Sequence, residues 1–125
     1  MSLTNFPNGV ETFVHPKNST TVTGNITATT NSNYIVTSTA TVTLPAIATG
    51  QAMTFINGAE DGHAGITISP AAVDGILYNG DNTDNKDIIN TLATAKKGDY
   101  VKLASLASGA YWTVTEINGT WAKEA

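Results

Sequence analysis

From Thr20 onward apolar and polar residues alternate with a period of two, the pattern of strands that bury one face. In "TTVTGNITATT" Val22 and Ile26 share a parity, with threonines between them. In "ATVTLPA" Val42 and Leu44 oppose Thr41 and Thr43, and Pro45 ends the run because proline cannot donate to a sheet ladder. "QAMTFIN" alternates Met53 and Phe55, "NGAEDGHAG" is rich in turn formers, and "ITISP" pairs Ile66 with Ile68 before a second proline stop. "DGILYNGDN" predicts a short strand flanked by turn dipeptides. In "DIINTLATAKKGD", Ile88, Ile89, Leu92 and Ala95 fit helical spacing with Gly98 as a C-cap, and they fit a strand with loops equally well.

The C-terminal third is more regular. "YVKLAS" sets Val101 and Leu103 against Lys102. "AYWTVTEI" puts Trp112, Val114 and Glu116 on one parity and Tyr111, Thr113 and Ile117 on the other. Large side chains on both faces predict a central or interface strand. Asn118-Gly119 in "INGTW" predicts a hairpin. Short strands with turn signals at intervals of about 8–12 residues predict an all-β chain, an antiparallel β-sandwich or jelly-roll-like domain over residues 20–125. No fixed-period repeat is visible. Residues 1–19, with Pro7, Gly9 and Pro16 and no sustained period, read as an extended N-terminal arm.

Composition narrows the chemistry. Charged residues are 13% of the 125, and about one residue in six is threonine, so the surface is weakly charged and invites association. The net charge is -4, and all six basic residues are lysine, which argues against a phosphate-tracking surface and a nucleic-acid partner. No apolar run approaches the roughly 20 residues of a membrane span and no leader is apparent, so a soluble protein with no membrane partner is expected. With no cysteine, disulfides and thiolate chemistry are excluded.

No motif assembles a catalytic set. His15 and His63 lie in separate loops without metal-ligand spacing, so no metal site and no cofactor are expected. "DNTDNKDIINTL" offers Asp81, Thr83 and Asn85 at the first positions of a calcium loop, but Lys86 stands where glycine is needed and Leu92 where a bidentate glutamate is needed. The adjacent Glu60 and Asp61 would point to opposite faces of an extended chain, a poor start for paired-carboxylate catalysis. The expectation is a protein that is not an enzyme. Among the aromatics, Tyr111, Trp112 and Trp121, with Val114, are candidates for a subunit interface, and Trp121 with Tyr111 is a weaker candidate for a sugar platform.

The head "LTNFPNGVETF" resembles the N-terminal signature of small structural proteins of tailed bacteriophages. The body, "YIVTSTATVTLPAIATGQAMTFIN", "ITISP" and "DYVKLASLASGAYWTVTEINGTW", is similar to the β-module of phage capsid decoration (cement) proteins and of some tail-fibre or spike domains. The resemblance covers Asn5 to Trp121. It implies a homotrimeric β-knob made in the bacterial cytoplasm and carried on the outer surface of the capsid, where it staples major capsid protein subunits. Phe6, Pro7, Asn8, Gly9, Val10 and Phe13 would then form an apolar knuckle that contacts the capsid or an adjacent subunit. The alternative is a tail-fibre or spike domain that binds a host surface glycan.

Overall fold

Successive strands alternate between two sheets, except for one consecutive pair in the C-terminal third that shares a sheet. The computed structural model describes residues 19–29, 31–106 and 111–125. Its strands are β1 (Ser19–Val22), β2 (Ile26–Thr27), β3 (Ser32–Val36), β4 (Ala40–Thr43), β5 (Ala52–Asn57), β6 (Ile66–Ser69), β7 (Gly75–Leu77), β8 (Ile88–Asn90), β9 (Tyr100–Ala104), β10 (Tyr111–Asn118) and β11 (Trp121–Lys123). One sheet has the order β1-β3-β5-β9-β10-β7 and the other β11-β8-β6-β4-β2. The expected arm, with Phe6, Pro7, Asn8, Gly9, Val10 and Phe13, lies outside the described residues apart from Ser19, which opens β1.

The all-β, two-sheet expectation holds, but the sheets are not purely antiparallel. Five of the nine strand pairings among the described residues are parallel: β1 with β3, β3 with β5, β2 with β4, β4 with β6, and β7 with β10. The cause is the connection pattern. Each early strand turns into the opposite sheet and the next turns back, so strands two apart run the same way and stack as coils. Antiparallel pairing begins only where β8 joins β6 and β9 joins β5.

Inward positions follow the alternation. Tyr34, Phe55 and Val101 stand side by side in one sheet, with the Tyr34 and Phe55 rings stacked at 5.3 Å between centroids. Val42, Ile68 and Ile88 form the matching ladder in the other. All six are buried in one apolar core with Leu44, Met53, Ile66, Ile76, Leu103, Trp112 and Trp121. The segment that fits helix or strand resolves as β8 followed by a single 3-10 turn at Leu92–Thr94.

Two turns exchange roles relative to expectation. Asn118-Gly119 is not a hairpin: β10 and β11 lie in different sheets, and Gly119 at φ +100° carries the chain across. A Cβ on Gly119 would stand 2.3 Å from the Asp99 carboxylate, so only glycine fits there. The two-residue hairpin is at Asn79-Gly80, where φ of 53° and 80° and mutual backbone bonds between Tyr78 and Asp81 match a type I′ turn.

Candidate functional site

The strand directions give the molecule two chemically different ends. Residues 28–29, 31, 44–51, 70–74 and 105–106 lie at the end at which β1, β3, β5, β7 and β10 begin, here the entry end. The loops 58–65, 91–99 and 119–120 close the opposite, distal end.

The distal end is built around buried polar side chains. Asn57 continues the inward parity of Met53 and Phe55, and Asn90 continues that of Ile88, so each is carried into the interior. The Asn57 Nδ2 donates to Asn90 Oδ1 at 2.9 Å and to the Ala64 carbonyl at 2.8 Å. Asn90 Nδ2 donates to Asp99 Oδ2 and to the Thr120 carbonyl, both at 3.0 Å. Asp99, 4% exposed, also accepts the Lys96 amide at 2.9 Å. The network ties β5 to β8 across the sheets and anchors two loops, which is the condition for burying amides and a carboxylate at tolerable cost. Outside it, Lys97 pairs with Glu60 at 3.0 Å and Lys96 with Asp61 at 3.8 Å, all exposed. His63 is exposed in the same loop.

The entry end carries two smaller anchors. The Ser105 hydroxyl donates to the Ala48 carbonyl and accepts the Gln51 amide, joining the 44–51 loop to the end of β9. Asp74 Oδ2, buried, accepts the Ile47 amide at 3.0 Å. The exposed side chains of these loops include Val73 and Leu106, and Tyr111 opens β10 at the same end.

A bulge decides which face of β10 does what. Lys102 pairs with Glu116, but the next residue, Leu103, pairs with Val114, leaving Thr115 as the extra residue. Parity therefore reverses: Ile117 joins Val114 against the core, and Glu116 turns outward. There Glu116 accepts the Tyr100 hydroxyl at 2.5 Å and pairs with Lys102 at 3.6 Å. Donation from Tyr100, with Lys102 nearby, holds the Glu116 carboxyl below its ordinary value, and the same bond raises Tyr100 above its own.

Beside this cluster lies an open groove of about 450 Å³ lined by Leu77, Tyr78, Asn79 and Thr113 to Ile117. It forms because β7 pairs with β10 only over Tyr111, Trp112 and Thr113, so the edge of β10 is bare beyond them among the described residues. Glu116 is the only carboxylate of its lining, and it is already engaged by Tyr100 and Lys102.

The expected interface residues are not brought together. Trp112 is fully buried and Trp121 is 6% exposed with its Nε1 donating to the Asn118 carbonyl, so both belong to the core of this chain. Their bulk reads as interface material in sequence, but inward parity places it between the sheets. Val114 is half-buried against the core and Tyr111 is exposed. Tyr111 and Trp121 stand at opposite ends of the molecule, since β10 runs eight residues, about 25 Å, between them. That separation rules out the Trp121–Tyr111 sugar platform. Asp81, at the first position of the rejected calcium-loop pattern, accepts Thr83 through both its amide and its hydroxyl, which holds its carboxyl below the ordinary value. Among the described residues no three potential metal ligands cluster, and no helix is long and apolar enough to cross a membrane. No protein-family model matches the chain, and no curated protein matches it.

Proposed function

We propose that the chain is a virion structural protein, not an enzyme, that binds the outer surface of an assembled phage capsid as a homotrimer and staples neighbouring major capsid protein subunits. The observation that carries this reading is how the polar side chains are used. The buried ones, Asn57, Asn90, Asp99, Asp74 and Ser105, fasten loops to sheets, and the exposed charged ones largely pair with each other. Such a body is a scaffold whose contribution is its surface. The resemblance of "NFPNGV" and of the strand motifs to phage decoration proteins supplies the partner, and Phe6 to Phe13 the capsid contact. Three weak contacts in one trimer act together, so modest individual affinities suffice.

Deleting residues 2–14 tests the reading. The expected product is a folded, soluble oligomer that no longer attaches to capsids, and the intact chain is expected at about three times 13.0 kDa by light scattering. Equal capsid occupancy by the truncated protein removes the role of the arm, and a clean monomer removes the staple. Density at the tail tip of the particle, with glycan binding, would replace decoration by the fibre reading.

A further inference from the structure

We infer that the entry end is the face this protein lays on its partner, a weakly charged protein surface, and that the distal end points away from it. The inference rests on the decoration reading, in which that partner is the coat.

Three independent observations converge on that end. The first is charge. Residues 28–29, 31, 44–51, 70–74 and 105–106 contain one charged residue, Asp74, and it is 4% exposed with its carboxylate on the Ile47 amide. The distal loops expose Glu60, Asp61, Lys96 and Lys97. Interface centres are depleted in charge because each charged group buried there must be desolvated. Other charges do stand at the entry end: the exposed Asp84, whose backbone bridges to Gly75, with Lys86, Asp87 and Glu124, all on the one margin formed by β7, β8 and β11, where a polar rim belongs.

The second is apolar exposure on firm loops. Val73 is 73% exposed, Leu106 67% and Tyr111 36%, and Ile47 is half-buried beside them in the same set of loops. Ser105 and Asp74 tie these loops to one another, so a partner meets side chains already held in place, which lowers the ordering cost of binding.

The third is where the rest of the chain attaches. Ser19 pairs with Asn33 at the start of β3, so the 18 residues before it join at the entry end. Fully extended they span at most about 60 Å. Phe6, Val10 and Phe13 therefore belong to a segment that joins at the same end as Val73, Leu106 and Tyr111, on the opposite edge of that sheet, and not at the end of the charged loops.

The test compares Val73→Asp combined with Leu106→Asp against Leu92→Asp, which alters a side chain 46% exposed at the distal end. Each protein is co-sedimented with capsids of the phage that carries the gene, stripped of this protein. Loss of about tenfold or more in affinity is expected for the entry-end variant, and a change within about twofold for Leu92→Asp. Equal binding by all three proteins overturns the orientation and leaves decoration standing. A wild-type protein that does not sediment with capsids overturns decoration and the inference with it. An entry-end variant that becomes monomeric while the wild type is oligomeric reassigns the face to a second copy. Should the entry-end variant misfold, amide exchange of the wild type decides: protection on capsids is expected in residues 44–51, 70–75 and 105–111, and protection confined to 58–65 and 91–98 contradicts the inference.

Discussion

The two ends of the molecule solve the same problem, closing a pair of sheets, with different chemistry. At the distal end the loops are held from inside by the Asn57–Asn90–Asp99 network and show their charges to solvent. At the entry end the polar anchors are single, Ser105 and Asp74, the exposed side chains include Val73, Leu106 and Tyr111, and the charges, Asp84, Lys86, Asp87 and Glu124, are confined to one margin. The lesson is that buried polarity and exposed charge sit together at the distal end. On our proposal the opposite end is the one that is covered.

Breaking the network should have the largest effect. Asn90→Ala removes donors to Asp99 and Thr120 and an acceptor for Asn57, leaving a buried carboxylate short of a partner. A loss of about 2–4 kcal/mol is expected in urea unfolding. Ser105→Ala, at the entry end, removes two bonds to one loop and should cost about 1–2 kcal/mol by the same measurement. If the two variants lose the same stability, the contrast between the ends is one of surface alone. Lys97→Ala breaks an exposed pair and should change stability by less than about 1 kcal/mol, with the difference vanishing in high salt.

The smallest effect is a pH dependence on the outer face of β9 and β10. Glu116 is held below its ordinary 4.5, so the contribution of its bond to Tyr100 is complete above that pH and is lost as pH falls through the lowered value. Tyr100 is raised above its ordinary 10.0, so its contribution is complete below that pH and is lost as pH rises through the raised value. The stability gap between wild type and Tyr100→Phe should be level across the range between and close on both sides. A gap that stays constant through acid shows that the bond carries no linkage.

Much of the strand content was legible because β-branched alternation and the stops at Pro45 and Pro70 are local signals. Strand pairing was not. The coils step by unequal lengths, with Thr20 beside Tyr34 and Tyr34 beside Phe55, 14 and then 21 residues apart, so no period marks them. The bulge at Thr115 was invisible for a similar reason: an extra residue reverses parity without any special residue type. Of the three Asn-Gly pairs that follow a strand run, at Asn57, Asn79 and Asn118, only the structure tells the hairpin from the two crossings, because the next strand's sheet is a long-range fact. The polar network did leave a trace. Asn57 and Asn90 occupy inward parities, and a polar residue on a buried stripe asks for a partner. The exposed apolar end left little trace, since Val73 and Leu106 look like core in sequence.

An image of a decorated capsid, at a resolution that orients the two sheets, tests the central claim most directly. The account predicts density on the shell with the entry end against it, Val73, Leu106 and Tyr111 at the contact and residues 58–65 and 91–99 facing outward. Contact made through those charged loops, or a shell bare of this protein, would contradict it.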